Sequence, residues 1–322
     1  MKFIIPLLFL ILPVEIFGQQ IIEEYTQQND SLQIGPGKSD FIQYNEKGYT
    51  LILPDTVKNI SGVIISLEDK NFNLKDSTQQ IYPQAITKNF AVLYVSTGVP
   101  VDLYFSEMSL VYIDSLMANI FTRYNLPKEN IFFLGVSLSG HRALKYIEFC
   151  HNKKSIFNPD IKGVILCEGV LDWVRQWYEG KKGIRDNFSK SSVFEGKLVT
   201  YLLEKNLGGT PKNNLQRYLE FSPYSYFDEK DRHIEFYKDC AVRAYTEQAT
   251  YYWIEAKRKS TFDTNFPDMV GIINELKLNG NTKSELIIFT QDKNNMDRRS
   301  PYYTWGLVDK AELMEWLIAQ TK

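Results

Sequence analysis

The segment Ile131-Phe-Phe-Leu-Gly135-Val-Ser137-Leu-Ser139-Gly140 limits what this chain can fold into more than any other. An apolar run of strand length meets a turn of small residues. A helical pattern follows, with Ala143, Leu144 and Ile147 facing inward. A serine at so sharp a strand-to-helix turn takes strained dihedrals, and its neighbours two positions away must be small. Gly135 and Ser139 meet that condition, with Gly140 beyond, although serine at 139 stands where glycine is commoner. Such a turn lifts the Ser137 hydroxyl above the sheet. It also aims the Leu138 N–H at the place where an oxyanion would form, and the positive end of the helix favours that charge. A Gly/Ser-rich turn without chemistry has the same local pattern, so the strand before it and the helix after it carry the reading.

Around this turn, short β-branched or aromatic runs recur at 49–53, 60–66, 90–96, 131–135, 161–167, 240–245 and 285–290. Runs of this length that lack alternation suit strands buried on both faces. Helical patterns lie between them. Ile113, Leu116, Met117, Ile120, Phe121 and Tyr124 form one amphipathic stripe. A second helix is expected over 267–278, with Pro267 and Asp268 in its first turn and Gly280 just past its end. A last one is expected to start at the cap Asp309, with Glu312 three residues on and Leu313, Trp316 and Leu317 on one face. Strand and helix in alternation predict an α/β fold, a mostly parallel central sheet with helices on both faces. The polar, aromatic and partly helical stretch 171–238 interrupts that rhythm and reads as a helical lid or cap inserted in one domain, 19–322. Residues 19–40 read as a polar lead.

Residues 1–18 read as a signal peptide. Lys2 precedes an uncharged, apolar run from Phe3 to Val14, too short to span a bilayer, and Gly18 suits the position before a cut. The expected location is therefore exported, periplasmic or extracellular, with no stable membrane anchor. Lysine and arginine total 37 against 39 acidic residues, a net charge of −2, which gives no footprint for nucleic acid. Cys150, Cys167 and Cys240 are too few and too scattered for a disulfide framework, and no Cys/His spacing points to a metal; buried thiols are expected. No cofactor is expected.

From Tyr124-Asn-Leu-Pro-Lys-Glu-Asn to Gly135-Val-Ser-Leu-Ser-Gly-His-Arg-Ala-Leu144, the chain resembles the serine esterases and S9-type peptidases of the α/β-hydrolase superfamily. Leu207-Gly-Gly-Thr-Pro211 and Phe221-Ser-Pro-Tyr224 are similar to a segment that precedes the seventh strand in those enzymes. The resemblance spans roughly residues 48–320. It implies a nucleophile elbow at Ser137, an acid after the seventh strand and a histidine after the eighth.

The chain departs from that pattern at three places. With the seventh strand at 240–245, the usual aspartate position falls near Ala249 or Thr250; Glu247 is the possible acid, and Glu168 and Asp172, after the sixth strand, are the alternatives. The loop 291–305 after the eighth strand holds no histidine, and Tyr302, Tyr303 and Thr304 occupy the neighbourhood where one belongs. His141, His151 and His233 are the three histidines of the chain, and each reads first as a packing or surface residue. The loop Ser66-Leu-Glu-Asp-Lys70 lacks the His-Gly or Gly-Gly pair that completes an oxyanion hole. Aromatic clusters at 221–227, 251–253 and 302–305 suit either a pocket for a small molecule, sugar or peptide, or plain packing. The expectation is a catalytically impaired hydrolase relative with a binding role. The alternative is an active esterase or peptidase with a non-standard base.

Overall fold

A computed structural model describes residues 20–27, 46–55, 60–68, 80–99, 101–290 and 301–321. The expected signal peptide lies outside the described residues, as does the loop at 291–300.

Among the described residues, eight strands form one sheet: β1 (Gln20–Gln27), β2 (Glu46–Leu53), β3 (Gly62–Leu67), β4 (Phe90–Thr97), β5 (Ile131–Val136), β6 (Ile161–Cys167), β7 (Ala241–Gln248) and β8 (Glu285–Thr290). Their order across the sheet is β1-β2-β4-β3-β5-β6-β7-β8. β1 and β2 are antiparallel to their neighbours, and every pairing from β4 to β8 is parallel. The seven predicted runs all fall on strands.

β1 corrects the reading of residues 19–40 as a polar lead. Its sequence, Gln-Ile-Ile-Glu-Glu-Tyr-Thr-Gln, pairs with β2 along its whole length. It is a polar edge strand, exposed at most positions, and so carries little of the apolar signal that marks a buried one.

Side-chain alternation along the strands builds a core on each face of the sheet. Ile64, Val92, Phe132 and Ile165 pack toward α1 (Tyr82–Thr87) and α10 (Lys310–Ala319). Val63, Leu93, Phe133 and Val164 face the opposite way, toward α2 (Glu107–Arg123), α3 (Leu138–His151) and α8 (Phe266–Leu278). In α2 the predicted stripe is buried at Ile113, Met117, Ile120 and Phe121. At the start of α10, Asp309 accepts from the N–H groups of Ala311 and Glu312, as expected of a cap. The Glu312 side chain does not return to the cap but binds Arg243 through two hydrogen bonds of 2.9 and 2.8 Å.

Between β6 and β7 the chain forms α4 (Trp173–Asp186), α5 (Lys190–Leu207) and α6 (Pro211–Phe221), with a third apolar cluster that includes Trp173, Trp177, Leu203 and Tyr218. The close approach of α4 to α5 depends on Gly180 and Gly196: a Cβ on Gly196 would lie 2.4 Å from the Gly180 carbonyl oxygen. α7 (Thr250–Lys257) follows β7, and α9 (Pro301–Leu307) precedes α10. Part of the expected loop at 291–305 is thus helical. Lys310 anchors this helix by donating to the carbonyls of Trp305 and Val308 at 2.6 and 2.9 Å. The three cysteines are free thiols; Cys167 and Cys240 are buried and Cys150 partly so. No helix among the described residues is long and apolar enough to cross a membrane.

Candidate active site

The chain order places β4 on one side of β3 and β5 on the other, so the direction in which successive strands are added reverses between β3 and β5. Crevices outside the carboxyl ends of strands at such a reversal are where open α/β sheets bind ligands. Ser137 stands there, directly after β5.

Its backbone has φ 57° and ψ −120°, a conformation that costs a non-glycine residue free energy and needs a tight surrounding to persist. That surrounding is the small-residue turn. A Cβ on Gly135 would sit 2.3 Å from the Gly140 Cα, and one on Gly140 would sit 3.2 Å from the Gly169 Cα. Ser139 fits where glycine is usual because its hydroxyl folds back on the turn. It accepts from the Val136 N–H at 2.7 Å and has the Val136 carbonyl at 2.9 Å, with Glu68 Oε1 at 3.3 Å. Ser66 Oγ donates to the same Glu68 oxygen at 2.9 Å, so a carboxylate after β3 is tied to the elbow. Leu138 opens α3, where the first N–H groups have no intrahelical carbonyl to bind. Beyond Glu68, the rest of the expected oxyanion loop lies outside the described residues.

Ser137 and Leu138 line a cavity of about 480 Å³. Its floor also includes Glu168, Glu247 and Thr304, and α5 contributes an apolar wall of Leu198, Val199 and Leu202. The aromatic rings in the lining are Trp173, Phe188 and Phe194 from the insertion, and Trp253 from α7. Among the described side chains of the three aromatic clusters noted in the sequence, only Trp253 contributes a ring to the cavity. Phe221 stacks on Phe105 instead, with ring centroids 4.5 Å apart, and Trp305 lies buried beneath the Lys310 ammonium.

The carboxylates sort clearly. Glu168 follows β6 with a φ of 48° and is 9% exposed. Its Oε1 accepts from Thr246 Oγ1 at 3.0 Å, the Glu247 N–H at 2.7 Å and Thr304 Oγ1 at 3.2 Å. Burial pushes its carboxyl up to about 7, against the pull of those three donors. Glu247, the possible acid, lies at the end of β7 and lines the same cavity, but it supports Glu168 through its backbone. Asp172 is a cap: it accepts from Val174 and Arg175 at the start of α4 and from the Tyr226 N–H. Burial and the neighbouring Asp268 push its carboxyl upward. Thr304 and Thr246 as partners of Glu168 were not foreseen; they come from α9 and β7, 136 and 78 positions away.

No histidine reaches this floor. His141 is fully buried, with Nε2 2.9 Å from the Leu103 carbonyl and Nδ1 accepting from Trp173 Nε1 at 2.9 Å. Its one basic nitrogen is therefore occupied, and burial pushes its pKa down to about 3. His233 contacts the Leu219 carbonyl at 3.0 Å and lies 3.4 Å from Glu148 on α3. His151 is exposed at the far end of α3, beside Phe236. Among the described residues, Ser137 Oγ has no hydrogen-bond partner, and no group of three or more His, Cys, Asp or Glu side chains is placed to hold a metal ion.

The sequence matches no protein-family model and no curated protein. Solved structures do match. Carboxyl esterase 2 of Tuber melanosporum superposes with a TM-score of 0.52 at 14% identity, over 94% of this chain and 86% of that one. An S-formylglutathione hydrolase of Agrobacterium tumefaciens gives 0.51 at 11% identity, over 94% and 95%. FphF, a fluorophosphonate-binding serine hydrolase of Staphylococcus aureus, gives 0.51 at 12% identity, over 94% and 99%. With the parallel sheet, the strained Ser137 and the helix that follows it, these likenesses assign the architecture: the chain has the α/β-hydrolase fold.

Proposed function

We propose that this protein is a catalytically impaired hydrolase relative that binds a small organic molecule in the cavity above Ser137. The observation that carries this reading is the placement of the histidines. The chain has three, each is engaged elsewhere, and none lines the cavity. A serine hydroxyl is a weak nucleophile until a neighbouring base takes its proton. Among the described residues the hydroxyl has no such neighbour, and Glu168, which lines the same cavity, is bound by threonine instead of imidazole. The fold, the elbow and the Leu138 N–H persist, so a polar, pre-organised floor remains for a ligand. We read the helical insertion 171–238 as the lid over that floor, and residues 1–18 as the signal that exports the protein.

Labelling with a fluorophosphonate tests the proposal, with FphF as the positive control. Loss of the base predicts modification of Ser137 roughly 10³-fold slower than that of FphF. Labelling at a comparable rate, abolished by Ser137→Ala, would refute it.

One observation favours a second reading. Glu168 lines the same cavity, and burial holds its carboxyl near 7, where a general base works best at neutral pH. On that reading the protein is an esterase or peptidase with Glu168 as base, and Ser137→Ala and Glu168→Gln each abolish turnover of 4-nitrophenyl acetate.

A further inference from the structure

Among the described residues, the exposed aromatic side chains are not scattered. They are Tyr178, Phe188, Phe194, Tyr226, Phe227, Tyr251 and Phe262, all from the insertion or from the segment after β7. Exposed aliphatic side chains such as Met108, Ile156 and Leu278 are spread over other parts of the fold. Five of the seven rings gather around the cavity. Phe188 and Phe194 line it with Trp253 and Lys257, yet are 47% and 55% exposed, so they form its rim. The Arg258 guanidinium lies over the Phe188 ring, 5.8 Å from its centroid. Tyr251 and the exposed Ile254 flank Trp253 on α7. Phe262 precedes Asp263, which also lines the cavity and pairs with Lys182 of α4, one turn beyond Tyr178. Large exposed apolar patches of this kind mark contact with a protein or a membrane.

The charges on the same segments are unequal. Over residues 178–199 and 250–263, Lys182 pairs with Asp263, Arg185 with Asp186 and Lys259 with Glu179. Lys181, Lys190, Lys197, Lys257 and Arg258 are in no ion pair among the described residues, and Glu195 and Glu255 are the carboxylates left to oppose them. Five cations against two anions make the rim positive on a chain whose net charge is −2.

Four of those five cations are lysines, which protein interfaces tend to exclude in favour of arginine. An anionic bilayer accommodates both parts of the rim. Aromatic rings settle at the level of the headgroups, and flexible lysine stems carry their charge to the lipid phosphates. The rim is also continuous with the apolar α5 wall of Leu198, Val199 and Leu202, which leads from it into the cavity.

We propose that this rim is a docking surface for an anionic phospholipid bilayer, with Phe188, Phe194, Tyr251 and Phe262 at the headgroup level and Lys190, Lys257 and Arg258 on the phosphates. The contact is a reversible adsorption, and it is independent of whether Ser137 reacts.

Co-sedimentation of the full chain with vesicles tests this, using phosphatidylcholine alone and phosphatidylcholine with about one-third phosphatidylglycerol. At low salt the mixed vesicles should bind at least about tenfold tighter, and high salt should remove most of that preference. Lys257→Glu/Arg258→Glu should abolish the preference, and Phe188→Ser/Phe194→Ser should weaken binding to the mixed vesicles about tenfold. Met108→Ser, which removes an exposed apolar side chain of α2, should change nothing. The comparison of vesicles on the unaltered protein decides the matter even if a variant folds poorly. Binding to neither vesicle overturns the proposal, as does equal binding to both, or a preference that survives both double variants. A dimer in solution that Phe188→Ser/Phe194→Ser dissolves also overturns it, assigning the face to a second copy of the chain. The rate of fluorophosphonate labelling bears on Ser137 alone and leaves the vesicle result standing.

Discussion

Thr304 Oγ1, on α9, donates to Glu168 Oε1 at 3.2 Å across the carboxyl edge of the sheet. Thr304 is buried and lines the cavity with Ser137, so the Glu168 carboxyl at that cavity is met by a threonine hydroxyl and by no imidazole. If the missing base is what separates this chain from its active counterparts, Thr304→His should restore part of the function. An imidazole held by Glu168 through one nitrogen would have its other nitrogen free for the serine proton. The expected outcome is a gain of roughly tenfold or more in fluorophosphonate labelling of Ser137. The double variant Thr304→His/Ser137→Ala serves as the blank, and no gain over wild type would show that more than the base is lost.

Glu168 has a second, purely thermodynamic signature. Its carboxyl is raised by burial from an ordinary 4.5 to about 7, so between those values the folded state holds a proton that the unfolded state has released. Stability from this group is fully present below pH 4.5 and is lost as pH rises through 7. Glu168→Gln stays neutral throughout and keeps an oxygen to accept from Thr246, Glu247 and Thr304. Relative to wild type, its melting temperature should therefore improve steadily from pH 5 to pH 8. A pH-independent difference between the two proteins would contradict this.

How far the sequence reveals this site depends on how local each contact is. The elbow is legible because strand, turn and helix are contiguous, and because the close approach of Gly135 to Gly140 permits only small residues. That the loop 291–305 holds no histidine is legible by counting. Glu168 is visible only as one alternative among several. Its role depends on a positive φ and on Thr246 and Thr304, which tertiary folding brings from distant positions. Serine at position 139 looks like a loss of room until its hydroxyl is seen bonded to Val136. β1 escapes notice because an exposed edge strand has no need of an apolar run. Glu312 looks like half of a capping box, yet a partner on β7, Arg243, outcompetes the local backbone.

His141 offers an opposite pH signature. Burial holds the ring neutral, pushing its pKa from 6.5 down to about 3 against the pull of the Leu103 carbonyl. Between those values the unfolded chain binds a proton that the folded chain does not. The stability it contributes is present above pH 6.5 and is lost as pH falls toward 3. Replacement by Phe removes that dependence and leaves the Trp173 indole N–H without its acceptor. We expect His141→Phe to cost about 1–3 kcal/mol at pH 7.5. Its deficit relative to wild type should shrink as pH is lowered to 4.5, as read by urea unfolding at each pH. A deficit constant with pH would mean that the ring is not the buried neutral group described.

The insertion is fastened to the sheet domain by another buried pair. Arg175, in the first turn of α4, grips Asp268 of α8 with Nε to Oδ1 at 2.7 Å and Nη2 to Oδ2 at 2.8 Å. The same Asp268 Oδ2 accepts from the Leu171 and Asp172 N–H groups, so one carboxylate fixes the turn into α4 and the arginine that follows it. Asp268 is 1% exposed, and truncating Arg175 to alanine leaves that charge buried without its counterion. The expected cost is about 3–5 kcal/mol by urea unfolding, far above that of an exposed bridge. Arg175→Met/Asp268→Asn removes both charges and keeps an oxygen for the two N–H groups, so it should be less destabilised than Arg175→Ala by about 1–3 kcal/mol. Because Glu168 hangs from the same corner through Asn265, whose amide donates to the Glu168 carbonyl at 2.9 Å, loosening this pair should also weaken whatever the cavity holds. A cost for Arg175→Ala below about 1 kcal/mol would instead place the pair among ordinary surface contacts, free of the insertion it joins.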